Sequence, residues 1–297
     1  MMLLALIWGA SFLSIRVALD EIAPFTLVAH RTFWAALTLW AVVLARAIPM
    51  PRSLRVWAAF VVMGLLNNLI PFALIAWGQQ HIETGLASIL NASTAIFGVI
   101  VAAIFFADER MTLRKGVGVT LGFAGVVTAI GPANLARIDL RSLAQLAVIA
   151  GALSYALAGV WGRKALGQVS PVAAATAMLT CSAAMTLPLA WALDGPPTLS
   201  HGIRTWGAIA YFSLVGTVGA YLLYYRVLAM AGSGNLLLVT MMIAPAAIAL
   251  GALVLGEQLG PRAYLGFALL AFGLGVLDGR LLRPARRPAI DRLPPHG

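Results

Sequence analysis

Long apolar segments follow one another along almost the whole of this 297-residue chain. Asp, Glu, Lys and Arg together make up 10% of the residues, against about 25% in an average soluble domain. The mean hydropathy of +0.94 leaves too few polar side chains to cover a soluble globule. The chain is therefore predicted to be an all-α integral membrane protein.

Apolar windows bounded by charges, Pro or Gly predict ten transmembrane helices. A span takes about 20 residues, so ten spans leave short loops and no room for a soluble catalytic domain. The predicted spans are 1–19, 24–45, 55–80, 82–106, 112–131, 142–162, 171–193, 203–230, 233–255 and 261–281.

The placement of the basic residues predicts the orientation in the membrane. With a cytoplasmic N-terminus, fourteen of the 20 Lys and Arg fall in inner loops and the tail, five fall in outer loops, and Arg31 lies inside the second span. Cytoplasmic loops carry such an excess. Both termini are thus predicted to be cytoplasmic, with 283–297 as a disordered basic tail near anionic lipid. The net charge of +10 then reports topology and not nucleic-acid binding.

The two halves of the chain match each other at an offset of about 148 residues. Glu109 and Glu257 are 148 residues apart, and Trp57 and Trp206 are 149 apart. This offset contains five spans, an odd number, so the second half must enter the membrane from the opposite side. We predict two inverted five-helix repeats, 1–133 and 140–282, around a central cavity. Such repeats are typical of alternating-access transport; the alternative is a repeat kept only for packing, as in some channels and scaffolds.

Short motifs at the span ends recur in a fixed order. The chain begins with Trp8-Gly9-Ala10-Ser11-Phe12, carries Arg31 in the second span, and closes the fourth and ninth spans with Glu109 and Glu257. In this order and duplication the chain resembles the EamA type of the drug/metabolite transporter (DMT) superfamily, as far as about residue 282. Its aromatic cavity helices make it similar to the YddG-like amino-acid exporters. The resemblance implies a basket of helices around a cavity lined by spans 1, 3, 4, 6, 8 and 9.

Proline and glycine mark candidate hinges within the spans. Pro71 and Pro245 each free a backbone carbonyl and permit a bend, and Gly216 and Gly219 lie in the eighth span. Static kinks are the alternative. The family's ninth-span proline is present as Pro245, whereas its fourth-span counterpart is absent, so we expect the two halves to bend differently.

Uncharged polar and aromatic side chains predict the substrate site. Amides and hydroxyls bind amino and carboxylate groups without the cost of a buried charge. Trp8 and Tyr155 are equivalent at an offset of 147 residues and would form opposite cavity walls. The predicted substrate-binding residues are Trp8, Ser11, Asn67, Trp77, Asn91, Thr94, Tyr155, Trp161, Tyr221 and Tyr224.

His30 and Arg31 form an ionisable pair inside the second span, which is a functional candidate by default. Arg31 would attract a carboxylate substrate. The alternative is structural: the side chain caps carbonyls of a broken neighbouring helix or extends to the outer surface.

The chain lacks the residue patterns of catalysis and of a proton relay. All ten acidic residues fall in loops or at span ends, and the sequence holds no phosphate-binding loop or metal-ligand cluster. We therefore predict a transporter without cofactor or metal, working down a gradient with weak coupling; a membrane-embedded enzyme is a distant alternative.

The residues alone fit several small-molecule substrates, namely amino acids, nucleobases, sugars and amphipathic drugs. The family branch favours export of amino acids, including aromatic and apolar ones, across the cell inner membrane. The remaining predicted partner is the lipid bilayer. Small residues in spans 5 and 10, such as Gly118 and Gly122, suit close helix packing, so the protein is expected to be a monomer or a weak homodimer through these helices.

Overall fold

The computed structural model describes residues 1–131, 139–166, 169–196, 198–231 and 233–278. For residues 225, 227–231, 233–238, 240, 241 and 278 it describes the backbone alone. Within these ranges all regular secondary structure is helical, which confirms the all-α prediction. The predicted tail 283–297 and the ends of both predicted repeats lie outside the described residues.

The described chain forms helices at the positions of the predicted spans. Seven of them, α2 to α8, are long and apolar enough to cross a membrane, and the other apolar helical stretches are shorter. The protein is therefore a multi-pass membrane protein. The helices are α1 (Met2–Ala18), α2 (Pro24–Ala45), α3 (Leu54–Gln79), α4 (Thr84–Phe105), α5 (Leu113–Ile130), α6 (Leu140–Ala165), α7 (Pro171–Asp194), α8 (203–231), α9 (Ser233–Leu255) and α10 (Pro261–Asp278).

Helices α3 and α8 each contain a π-helical segment. The segment in α3 is Leu65–Leu69, immediately before Pro71, and the segment in α8 is Tyr211–Gly219, which includes Gly216 and Gly219. A π-helix bonds to the fifth carbonyl back instead of the fourth, and such segments are frequent at functional sites. The wider turns therefore lie at or close to three of the four hinge candidates.

Helix α4 is interrupted although it lacks a proline. It consists of Thr84–Asn91 and Thr94–Phe105. The Ser93 hydroxyl donates to the Leu90 carbonyl at 2.6 Å, and the Thr94 hydroxyl donates to the Asn91 carbonyl at 2.7 Å. Local hydroxyl bonds of this kind compete with the regular helical pattern; the Leu90 carbonyl also accepts the Ser93 backbone N–H at 3.1 Å. Helix α9, by contrast, continues through Pro245, so the proline does not decide which helix breaks.

Helices α5 and α10 pack backbone against backbone. A Cβ atom added to Gly125 would lie 2.5 Å from the Leu270 nitrogen, and one added to Gly273 would lie 2.6 Å from the Gly122 nitrogen. Only glycine permits this approach. The close packing expected for Gly118 and Gly122 thus occurs within one chain. Both glycines are buried in this contact.

Polar contacts gather at one end of the helices, which we call the Glu257 end. Here Glu257 accepts hydrogen bonds from the backbone N–H groups of Thr84 at 3.0 Å and Gly85 at 3.4 Å. Arg141, at the start of α6, pairs with Glu83 at 2.8 Å. These contacts join the α3–α4 connection to the α9–α10 connection and to α6.

At the opposite end, the Arg163 end, ion pairs join the α4–α5 connection to the end of α6 and to the start of α5. Arg163 Nη2 lies 2.6 Å from Asp108 Oδ2, and Lys115 Nζ lies 3.0 Å from Glu109 Oε2. The Arg163 guanidinium also covers the Phe106 ring at 4.1 Å. The hydrogen bond from Arg163 holds the pKa of the Asp108 carboxyl below its usual range, because it favours the charged form.

Candidate functional site

A cavity of about 920 Å³ lies between the helices, within the size range of small-molecule sites. Helices α1, α2, α3, α4, α6, α7, α8 and α9 all contribute residues to its wall. The cavity extends to Arg163, Leu166 and Val169, where α6 ends. The contacts that define the Glu257 end do not line it. The cavity therefore reaches the Arg163 end of the protein and not the other.

Most of the predicted site residues share this cavity. Those that line it are Trp8, Ser11, Asn67, Asn91, Thr94, Tyr155, Tyr221, Tyr224, Arg31 and the hinge candidate Gly216.

Aromatic rings form a large part of the cavity wall. The Trp8 and Tyr224 ring centroids are 6.0 Å apart, and those of Tyr155 and Phe72 are 6.4 Å apart. Both separations lie in the range of favourable ring contacts. Phe72 was missed from the sequence, since it follows Pro71 in a helix where only Trp and polar residues were considered.

Trp77 and Trp161, which were also predicted as substrate-binding residues, lie outside this cavity. The Trp77 ring lies against His81, 5.1 Å between centroids. The Trp161 indole N–H donates to the Ala59 carbonyl at 2.9 Å and so joins α6 to α3. Neither side chain lines the cavity. Trp77 follows the π-helical segment of α3, and an inserted residue rotates the side chains after it about the helix axis; Trp161 lies on α6, which is a regular α-helix.

A chain of amides and hydroxyls supports the cavity wall at α3. The Asn67 amide donates to the Tyr221 hydroxyl at 3.1 Å, and the buried Asn68 amide donates to Ser182 at 2.8 Å. The bonds tie α3 to α8 and α7. On α4, Asn91 Oδ1 is buried and has no hydrogen-bond donor within the described residues. Asn91 lines the cavity, but this oxygen faces away from the open space and would need a side-chain rotation to meet a ligand N–H group.

His30 and Arg31 are separated by the fold. Consecutive helix residues point about 100° apart, and His30 is turned away from the cavity towards α8. Its Nδ1 accepts from the Trp34 indole at 3.2 Å, and its ring lies 5.7 Å from that of Trp206. The ring of His201 completes this cluster at 6.2 Å from His30. His30 is thus not a cavity residue.

Arg31 points into the cavity wall. Its side chain is 8% exposed, its Nε donates to the Thr217 hydroxyl at 3.0 Å, and its Cζ lies 3.7 Å from the centre of the Phe72 ring. Thr217 belongs to the π-helical segment of α8 and donates to the Phe212 carbonyl at 2.8 Å. Arg31 therefore connects α2 with α3, just after its π-helical segment, and with the π-helical segment of α8. Its hydrogen bond to Thr217 was not anticipated from the sequence, because the two lie 186 residues apart.

Sequence comparison decides the family. A sequence model of the EamA-like transporter family matches residues 1–131 and 142–277, which is most of the chain. The chain belongs to the EamA-like transporter family. This places it in the DMT superfamily and agrees with the resemblance found in the short motifs.

Relatives of this transporter are also described as transporters. It is 23% identical over 270 residues to the uncharacterized transporter YoaV of Bacillus subtilis, with 91% of this chain and 92% of the relative covered. It is 24% identical to the uncharacterized inner membrane transporter YedA of Escherichia coli, covering 95% and 91% of the two chains. A probable amino-acid metabolite efflux pump of Escherichia coli is 23% identical, covering 92% and 91%.

A solved structure shares the fold of this transporter. A crystal structure of a protein with 20% sequence identity superposes with a TM-score of 0.67 and covers 94% of both chains. At this identity the similarity concerns the fold alone.

Proposed function

We propose that this transporter exports small metabolites, above all amino acids with aromatic and other apolar side chains, across the bacterial inner membrane. The observation that carries the proposal is the cavity of about 920 Å³. Its aromatic wall, with Trp8, Tyr155 and Tyr224, would bury an apolar side chain, while its amide and hydroxyl groups would bind the polar end. The efflux pump among its relatives supports the choice of amino acids.

The proposed mechanism is alternating access between two inverted five-helix repeats, with ten spans and both termini cytoplasmic. In that orientation the Arg163 end faces the cytoplasm, so a cavity that reaches this end would load substrate from inside the cell. The Glu257 end, where hydrogen bonds and an ion pair join the helices, is then the closed outer side. An exporter needs this inward-facing state to collect its cargo.

The opening motion would use the irregular turns of the cavity helices. The π-helical segments before Pro71 and around Gly216 and Gly219 have weaker, longer-range backbone bonding than an α-helix. Pro245 leaves a carbonyl without its helical partner in α9. These four residues are our proposed hinges, and they lie on helices that also supply cavity residues.

Counterflow in proteoliposomes tests this function. Proteoliposomes that contain the purified transporter are loaded with an unlabelled amino acid. Uptake of radiolabelled amino acids is then compared for wild type, Trp8→Ala and Tyr155→Ala. Loss of one aromatic side chain from the wall should raise the half-saturation concentration for aromatic substrates about 10-fold, the equivalent of ~1.4 kcal/mol. Trp191→Ala is the matched control, because Trp191 is 63% exposed and outside the cavity.

Three outcomes would count against the proposal. An unchanged half-saturation concentration in both variants would show that the aromatic wall does not contribute to substrate binding. Counterflow of nucleobases, sugars or amphipathic compounds, without counterflow of any amino acid, would show that amino acids are not the substrates. Flux without counterflow would point to a channel, since a carrier exchanges substrate across the membrane and a pore does not.

A further inference from the structure

Arg31 is a buried charge without a counter-ion in the part of the chain that the structure describes. No described carboxylate oxygen lies within 4.0 Å of its nitrogens, although its side chain is only 8% exposed. Arginine keeps its proton at any physiological pH. An unpaired buried charge is among the most unfavourable groups in a protein interior, so this position calls for a compensating partner.

The protein provides only part of that compensation. One donor, Nε, is used by Thr217, and the face of the guanidinium contacts Phe72. The two terminal nitrogens have no acceptor among the described residues, yet neither is fully enclosed. Arg31 is also a lining residue of the cavity. Its four remaining N–H donors are thus accessible from the cavity.

The structural alternatives for Arg31 do not match its contacts. A guanidinium that caps a broken helix would donate to backbone carbonyls, but the Nε of Arg31 donates to the Thr217 hydroxyl. One that extends to the membrane surface would be exposed, and Arg31 is not. Thr217 and Phe72 hold the group by its Nε and its flat face, which leaves the terminal fork free.

A second donor lies on the same cavity. The Tyr155 hydroxyl makes no hydrogen bond within the described residues and is not fully enclosed. A carboxylate has two oxygens with about four acceptor sites and binds arginine through two parallel hydrogen bonds. The fork of Arg31 supplies both of these bonds, and Tyr155 supplies a donor for a remaining lone pair.

We propose that Arg31 is the carboxylate-binding residue of the cavity, so that this transporter selects molecules with a carboxylate attached to an apolar group. The proposal rests on the proposed function in taking the cavity as the transport site, and it narrows the substrate class. Amines, esters and amides of the same size are rejected, because they leave the buried charge of Arg31 unpaired. Neutral amphipathic compounds are rejected for the same reason.

Four probes of equal apolar size separate the charge from the rest of the ligand. They are L-phenylalanine, 3-phenylpropionate, L-phenylalanine amide and 2-phenylethylamine, and their binding to the detergent-purified full chain is measured by isothermal titration. Wild type should bind the two carboxylates about 10- to 100-fold more tightly than the amide and the amine, which corresponds to the ~1.5–3 kcal/mol of a charged hydrogen bond.

The variants test whether Arg31 causes that preference. In Arg31→Gln the ratio between 3-phenylpropionate and the amide should fall to within about 3-fold, while Arg31→Lys should retain part of it because it keeps the charge without the fork. Arg141→Gln is the matched control: Arg141 is also paired with a carboxylate, that of Glu83, but it does not line the cavity. Its preference for carboxylates should remain that of wild type.

The outcomes distinguish this inference from the proposed function. Binding of 3-phenylpropionate without binding of L-phenylalanine would contradict amino-acid export and support Arg31 as an anion site. Equal binding of acid, amide and amine by wild type would overturn the inference, and so would binding of neither carboxylate. If Arg31→Gln does not fold, the wild-type probe series and Arg31→Lys still decide the question.

Discussion

Glu257 holds the first turn of a helix in the other half of the chain, since its Oε1 accepts the backbone N–H of Thr84 at 3.0 Å. The first N–H groups of a helix have no partner within it, and a negative charge there is stabilised by the helix dipole. Gly251 makes room for the carboxylate, because a Cβ at that position would meet Glu257 Oε2. The contact therefore depends on two positions of the second half of the chain.

Replacing Glu257 should loosen the Glu257 end. Glu257→Gln keeps an acceptor but removes the charge, and caps of this kind contribute about 0.5–2 kcal/mol. We expect amide hydrogen exchange in peptides covering 84–87 to accelerate about 3- to 10-fold. Glu83→Gln is the control, since Glu83 pairs with Arg141 and does not cap the helix. Equal acceleration in both variants would show that the cap is not what closes this end.

The glycine contact between α5 and α10 predicts opposite effects for two Gly→Ala changes in one helix. Gly125→Ala should lower Tm, because its Cβ would lie 2.5 Å from the Leu270 nitrogen and overpacking costs about 1–3 kcal/mol. Gly116→Ala should leave Tm unchanged or raise it, since no atom lies within 4 Å of that Cβ and Ala favours the helix by up to about 1 kcal/mol. Thermal unfolding in detergent measures both. A lower Tm for both changes alike would mean that the close contact with α10 is not what makes Gly125 sensitive to replacement.

The Asp108–Arg163 pair predicts a loss of stability in acid. The pKa of Asp108 is lowered from 3.8 by the Arg163 hydrogen bond. Its contribution to stability is therefore fully present above about pH 3.8 and disappears as the pH falls through the lowered, folded-state pKa. The Tm difference between wild type and Asp108→Asn should be constant near neutral pH and shrink to zero in acid. Arg163→Gln should show the same convergence, and a difference that grows on acidification would contradict the assignment.

Counterflow should continue without a pH gradient. Every acidic side chain that the structure describes lies in a connection or at the last residue of a helix, so these residues offer no intramembrane proton carrier. We expect an uncoupler to change the initial rate of exchange by less than about 2-fold, well below the effect of losing a coupled driving force. Strict dependence on an imposed gradient would refute this expectation, and His30 would then be the first residue to replace.

The positions of the helices were predictable because prolines and charges mark their ends. The spans predicted at 24–45 and 112–131 compare with Pro24–Ala45 and Leu113–Ile130 in the structure. Pro24 occupies the first helical position, where its missing N–H costs nothing. Hydropathy and the residues that mark helix ends depend only on nearby positions in the chain, so they can be recognised in a single sequence.

The direction of side chains was less predictable, because it depends on the regularity of each helix. The π-helical turn Leu65–Leu69 carries no sequence signal of its own apart from Pro71 after it. Asn67, within this turn, lines the cavity, and Trp77, after it, does not. Similarly, His30 and Arg31 are neighbours in sequence, and only the packing of α2 determines which of them meets the cavity.

The glycine contact of α5 with α10 has a further consequence for movement. Helix α5 belongs to the first matched segment of the chain and α10 to the second. Their backbones meet without side chains between them, so no rotamer change can accommodate sliding or separation of the two helices. If the open and closed ends exchange by the proposed alternating access, this line of contact would have to stay in place while the cavity helices move.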